Sequence, residues 1–257
     1  MPPHYSFQKL MDGIGKHPVF FFDFDGTLVE LASTPDKVKF KPITKYILEN
    51  LANIFPVGII SGRCLSDLQK MIAIDGIFYA GNHGVEVEGP GLSFIEPNTS
   101  KFRYLILNLL DELKAKLSRY NPLIEDKIYA IGIHYRTIDP LRVNDFLSEV
   151  TKILEIPLNK NEIKILNGKK VIEVKPPVEW NKGNSVKIIL KHLKNDYTPF
   201  YFGDDITDEF AFETVNELNG TSVLIRNGDS PTKAKFILDS SHELIGIIAQ
   251  IISEYQK

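Results

Sequence analysis

The sequence has a single cysteine, Cys64, so no internal disulfide framework can form and a reducing compartment is the expected setting. Cys64 lies in no thiol motif and reads as structural. No apolar run approaches the length that spans a bilayer, and the opening Met-Pro-Pro-His-Tyr-Ser lacks a basic segment followed by an apolar core. Neither a membrane partner nor a secretory leader is therefore expected, and the cytoplasm is the expected location. Charge of one sign is missing too: the formal net charge is −3, with no long block of either sign, which points away from nucleic acid or a membrane surface as the main partner. With 43% hydrophobic and 25% charged residues over 257 positions, the chain has material for a large core and for two units.

The most informative stretch begins at Val19. The apolar run Val19-Phe20-Phe21-Phe22 leads into Asp23 and Asp25 and then the turn Gly26-Thr27. Alternation along an extended chain puts Asp23 and Asp25 on one side, so both carboxylates reach one small volume beyond the strand's C-terminal end. In open α/β sheets ligands bind there. Two acids so close repel unless a cation lies between them, and hard divalent cations such as Mg2+ take oxygen ligands.

From Val19 to about residue 88, apolar runs alternate with helical patterns, as in strand–helix units of a parallel sheet. Pro42 marks the start of a helix that carries Ile43, Ile47, Leu51 and Ile54 on one face. Strands are expected over 56–60, ending at Ser61-Gly62-Arg63, and over 77–80, ending at Gly81-Asn82-His83-Gly84. Gly89-Pro90-Gly91 breaks the rhythm. The pattern then predicts a helix over about 101–118, strands over 123–127 and 129–136, and a helix over 140–154. A hairpin follows, joining 162–166 to 170–175 through the favoured turn pair Asn167-Gly168. This is a compact α+β insertion, and Pro176-Pro177 reads as the return linker. Afterwards Asn181-Lys182-Gly183 opens a helix, and a strand over 199–202 ends in Gly203-Asp204-Asp205. The expected organisation is a first core part over 1–88, an insertion over 89–175 and a second core part over 176–257.

Three apolar strands thus end in functional groups: Asp23 with Asp25, Ser61, and the acids Asp204, Asp205 and Asp208. A shared parallel sheet brings those ends to one edge. With Lys182 at a helix start, the set contains a nucleophile candidate, a metal nest, a hydroxyl donor and a fixed cation, the inventory of phosphoryl transfer.

The order Asp-x-Asp-Gly-Thr, Ser-Gly-Arg, Lys-Gly and Gly-Asp-Asp-x-Thr-Asp-Glu resembles the haloacid-dehalogenase-like phosphatase superfamily over almost the whole chain. The resemblance implies an α/β fold: a Rossmann-like parallel-sheet core with an inserted α+β type-two cap of the C2B-like kind. It implies Asp23 as nucleophile, forming an aspartyl-phosphate, and Asp25 as the group that protonates the leaving oxygen and later activates water. It also implies that Thr27 and Ser61 support the site and hold phosphoryl oxygens, and that Lys182 balances their charge. Mg2+ would be bound by Asp23, Asp204 and the main-chain carbonyl of Asp25, with Asp205 and Asp208 in support.

Within the insertion, Glu125-Asp126-Lys127, His134-Tyr135-Arg136 and Glu173-Val174-Lys175-Pro176 resemble the trehalose-6-phosphate phosphatase family, as does Gly81-Asn82-His83-Gly84. By that resemblance Glu125, Lys127 and Glu173 bond sugar hydroxyls, and Arg136 binds or steers the phosphorylated end. His83 is either a substrate contact or only a turn residue, His134 orients its neighbours, and Arg63 caps the next helix or pairs with an acid. Lys175 stands where arginine is frequent in the family, which weakens bidentate bonding if the position touches ligand. No glycosyltransferase segment accompanies this part, so a free-standing enzyme with a functional link to a trehalose-6-phosphate synthase is expected. The expected small-molecule partner is trehalose 6-phosphate. Other sugar phosphates (sucrose phosphate, glucosylglycerol phosphate, mannosylphosphoglycerate) and a non-catalytic sugar-phosphate sensor are the alternatives.

Overall fold

The strand β1 (Pro18–Phe22) is buried along its whole length because its side chains serve two cores. Phe20 and Phe22 belong to one apolar cluster, Val19 and Phe21 to another, the period-two alternation of a strand covered on both faces. The computed structural model describes residues 2–15, 17–32, 37–168, 170–194, 196–225 and 231–256. It divides into two compact units, Met1–Phe94 with Trp180–Lys257, and Ile95–Glu179.

The larger unit begins with α1 (Phe7–Gly13), β1, α2 (Pro42–Ala52), β2 (Val57–Ile60), α3 (Leu65–Ile72), β3 (Phe78–Gly81), β4 (Glu86–Gly89) and β5 (Leu92–Ile95). The smaller unit holds α4 (Arg103–Leu117), β6 (Leu123–Asp126), β7 (Ile131–His134), α5 (Val143–Asn159), β8 (Lys164–Gly168) and β9 (Val171–Lys175). The larger unit resumes with α6 (Lys182–Leu193), β10 (Thr198–Gly203), α7 (Glu209–Glu217), β11 (Thr221–Ile225), β12 (Phe236–Leu238) and α8 (Ser241–Tyr255).

In the larger unit the sheet order is β12-β11-β10-β1-β2-β3-β4-β5. The pairs from β12 to β3 are parallel and β4 runs antiparallel to β3. Helices α6 and α7 pack on one face, where Val186, Ile189 and Phe212 meet Phe21, while α2, α3 and α8 pack on the other, where Leu48, Leu68 and Ile248 join Phe20 and Phe22. Beside β12, Tyr5 donates its amide to Ile237 O at 2.7 Å and Ile237 donates to Pro3 O at 3.1 Å. In the smaller unit the sheet order is β6-β7-β9-β8, all antiparallel. Helices α4 and α5 cover its apolar face through Ile106, Leu113, Phe146 and Val150 against Ile131, Ile133 and Val174. Among the described residues no helix is long and apolar enough to cross a membrane.

Four local expectations are corrected. The units part at 94/95 and 179/180 rather than 88/89 and 175/176, because β4 and β5 continue the large sheet and Glu179 pairs with Lys164 in the smaller unit. On α2 the inward positions are Thr44, Ile47, Leu48 and Leu51, leaving Ile43 59% exposed, and Ile54 lies beyond the helix end. Asn167 and Gly168 are strand residues paired with Ile172 and Val171, so the hairpin turns after them, with Lys170 at φ 67°. Finally, α5 runs on through Pro157 to Asn159 instead of ending at Leu154.

Candidate active site

β10, β1 and β2 are neighbours and parallel, so Asp204, Asp23 and Ser61, which each follow one of them, emerge at one edge of the sheet. Gly26 lets the chain turn there. It takes φ +101°, and a Cβ on it would lie 2.1 Å from Asp204 Oδ2, so only glycine allows this approach.

Lys182 is the first residue of α6, whose N-terminus is closed by a reciprocal Asn181–Asn184 capping box. Its ammonium donates to Asp23 Oδ1 at 2.6 Å and to Asp208 Oδ1 at 2.7 Å. Burial alone would push this ammonium down, but Asp208 and Asp23 overcome it and hold Lys182 above the usual lysine range. Asp208 is filled. Its Oδ1 also accepts from Tyr201 Oη at 2.6 Å, and its Oδ2 accepts from the amides of Asp204 at 3.1 Å and Asp205 at 3.0 Å. Four donors match the roughly four lone-pair sites of a carboxylate, so Asp208 braces Lys182 and the 204–205 turn. Burial, with Asp208 adding, pushes the Tyr201 phenol far up, which keeps it a donor.

The carboxylates of Asp23, Asp204 and Asp208 offer oxygens that lie within 4.8 Å of one another. Three acids face one ammonium, and burial pushes the Asp23 carboxyl well above its ordinary value despite Lys182. Asp23 Oδ2 is buried with no hydrogen-bond partner among the described residues. An all-oxygen donor set with an orphaned carboxylate oxygen fits a hard divalent cation. Because Asp208 is filled, the acids that fit it are Asp23 and Asp204.

Asp25 follows β1, which ends at Phe22. Its carboxylate accepts from Arg63 Nε and Nη2, each at 2.7 Å, a bidentate pair. The guanidinium also lies 5.5 Å from the Phe24 ring centre and donates to Met71 Sδ at 3.2 Å. Of the two readings for Arg63, pairing with an acid holds. Thr27 is buried and its hydroxyl has no partner among the described residues. Ser61 Oγ accepts from the Arg63 amide at 3.2 Å, and Asp205 caps the short turn Ile206–Asp208. His83 lies in the turn after β3, its ring against Gly62.

In the smaller unit, Glu125, Gly132 and Glu173 are in register across β6, β7 and β9. Lys127 donates to Glu173 at 2.7 Å, and His134 Nε2 lies 3.1 Å from Glu125 Oε2. Gly132 leaves a gap between them, since a Cβ would lie 3.1 Å from His134 Nε2 and 3.2 Å from Glu125 Oε2. Glu125, Lys127, His134 and Glu173 therefore share one polar face. Arg136 lies past β7 in an exposed turn. Sequence reasoning missed Tyr201; the available signal was a phenol within an otherwise phenylalanine-lined strand, three residues before Asp204.

The family model for trehalose-phosphatase matches residues 21–242. A trehalose-phosphate phosphatase from Mycobacterium avium is 34% identical over 244 residues, covering 89% of this chain and 61% of that protein. The chain thus spans about three fifths of this curated relative's length. The solved C-terminal domain of the trehalose-6-phosphate phosphatase of C. albicans superposes with TM-score 0.81 at 22% identity, covering 98% of each chain. A haloacid dehalogenase-like hydrolase from Bacteroides thetaiotaomicron gives TM-score 0.63 at 16% identity, covering 92% of this chain and all of that one. These two structures share the fold.

Proposed function

The chain belongs to the trehalose-phosphatase family, and on that premise we propose that it hydrolyses trehalose 6-phosphate to trehalose and inorganic phosphate with Mg2+ as cofactor. The observation that carries this reading is the Lys182 ammonium bridging Asp23 and Asp208 at the sheet edge, beside an Asp23 oxygen left unpartnered in a buried acid cluster. Mg2+, held by Asp23, Asp204 and the carbonyl of Asp25, would neutralise phosphoryl charge and draw the Asp23 carboxyl toward its ionised form.

Asp23 attacks phosphorus, and the bond from phosphorus to the sugar oxygen breaks. Asp25 gives its proton to that oxygen, releasing trehalose and leaving an aspartyl-phosphate on Asp23. Asp25 then takes a proton from water as it attacks phosphorus, which frees Asp23 and yields phosphate. Arg63 donates to both Asp25 oxygens and leaves each a further lone pair for the transferred proton. Ser61, Thr27 and Lys182 hold the phosphoryl oxygens. Residues 95–179 serve as an α+β cap of the type-two kind, in which Glu125, Lys127 and Glu173 exchange their present partners for sugar hydroxyls, aided by Arg136. The setting is the cytoplasm, downstream of a synthase that makes the sugar phosphate.

The test is phosphate release from trehalose 6-phosphate, glucose 6-phosphate, sucrose 6-phosphate and mannosylphosphoglycerate, with and without Mg2+. Trehalose 6-phosphate should be preferred, chelation should stop turnover, and Asp23→Asn should be inactive. Preference for another sugar phosphate would overturn the substrate, and sugar-phosphate binding without release would overturn catalysis in favour of a sensor.

A further inference from the structure

Residues 82–84 form a turn in which three successive residues take positive φ: Asn82 at 49°, His83 at 57° and Gly84 at 92°. Left-handed backbone at two adjacent non-glycine residues is costly, so the surroundings must enforce it. On one side, the amide of Asn82 donates to Arg63 O at 2.7 Å and that of His83 to Ser61 O at 2.9 Å. The His83 ring lies so close to Gly62 that a Cβ there would sit 2.7 Å from His83 Cε1. On the other side, Gly84 O accepts from Trp180 Nε1 at 2.5 Å. Gly84 also packs on the start of α6, where a Cβ would lie 3.1 Å from Asn181 O and 2.8 Å from Ser185 Oγ. Trp180 is itself stacked on Phe94, with ring centres 5.5 Å apart and planes at 21°.

We infer that this left-handed turn is a spacer that sets Ser61 relative to Lys182, and that Trp180 is the positioning residue that holds it. The inference rests on the proposed phosphatase reading, in which Ser61 and Lys182 grip one phosphoryl group. The path runs from Ser61 O to the His83 amide, through the turn to Gly84 O, across one indole N–H to Trp180, and two residues on to Lys182. Backbone supplies every link except the indole, so the path has little slack. Trp180 is thus tied to Ser61 through the turn and to Lys182 through the backbone. Such spacing matters because a misplacement of about 1 Å in a positioning group can cost about 10²-fold in rate.

The experiment uses the whole chain with Mg2+ and measures inorganic phosphate affinity by calorimetry, beside kcat and KM on trehalose 6-phosphate, for Trp180→Phe and Gly84→Ala. Trp180→Phe keeps an aromatic ring beside Phe94 while removing the indole N–H along with the second ring. Its phosphate Kd should rise and its kcat fall by about 5-fold each, the equivalent of one hydrogen bond. Gly84→Ala forces a Cβ against the Asn181 carbonyl at positive φ and should cost about 10²-fold in kcat. Thermal melts identify folded variants, and if Gly84→Ala does not fold, Trp180→Phe decides. A folded Trp180→Phe with unchanged phosphate affinity and kcat, whatever its loss of melting temperature, overturns the spacer. A wild type that binds phosphate but hydrolyses no sugar phosphate overturns the functional reading instead, and the phosphate affinities of the variants then decide the spacer alone.

Discussion

The two units carry charge clusters that are braced differently. In the larger unit the Lys182, Asp23 and Asp208 side chains are 3%, 6% and 0% exposed, and Asp208 is filled by backbone amides, a buried phenol and the ammonium. In the smaller unit Lys127–Glu173, 11% and 6% exposed, and His134–Glu125, 18% and 23% exposed, stand on a strand face around Gly132. The first cluster cannot exchange partners without leaving a buried charge uncompensated. The second lies on a sheet face, where sugar hydroxyl groups can take over its hydrogen bonds. Rigid placement suits the reacting end of a substrate, and replaceable contacts suit its recognised end.

The sharpest way to break this contrast is Lys182→Ala. Removing the ammonium leaves buried carboxylates facing one another, so denaturant unfolding should show a loss of about 3–5 kcal/mol, and phosphate release should fall by at least about 10³-fold. A variant that is inactive but fully stable would mean that the cluster tolerates charge imbalance, and the contrast would fail.

Lys127→Met tests the other side. It should raise KM about tenfold while kcat stays within about twofold, the signature of lost uniform binding. A drop in kcat at constant KM would place Lys127 in the chemistry and erase the division of labour.

The smallest effect concerns an ion pair outside both clusters. Arg103 donates to both oxygens of Asp126, at 2.7 and 2.9 Å, and that hydrogen bonding holds the Asp126 carboxyl below its ordinary range. A depressed folded pKa stabilises above the unfolded value of about 3.9, and the contribution is lost as pH falls through the lower folded value. Arg103→Ala should therefore cost at most about 1 kcal/mol at pH 7, with solvent screening the pair, and almost nothing near pH 2, read from urea melts at the two pH values.

Much of the site was legible because strands announce their ends. Val19 to Phe22, residues 57–60 and residues 198–203 are apolar runs stopped by Asp23, Ser61 and Asp204, and parallel pairing aligns those stops. The grip of Arg63 on Asp25 was not legible, because the partners are 38 residues apart and a Ser-Gly-Arg turn is equally compatible with helix capping. Tyr201 was hidden by its strand, where a phenol and a phenylalanine pattern alike until a buried acceptor is known. The β8–β9 turn was misplaced because Asn-Gly is a favoured turn pair, while the face pairing Val174 with Ile165 governs register. Ile43 was misjudged because apolar residues at helical spacing admit more than one phase, and packing selected Leu48.

The segment from Pro3 to Tyr5 has a use beyond its own two hydrogen bonds. It lies along β12, the last strand of the large sheet on that side. A strand left uncovered presents a row of unsatisfied donors and acceptors to which another chain can add. β12 is only three residues long and is already engaged at Ile237, so little template remains for a second molecule. The same short segment that makes two hydrogen bonds therefore also shortens the open rim of the sheet.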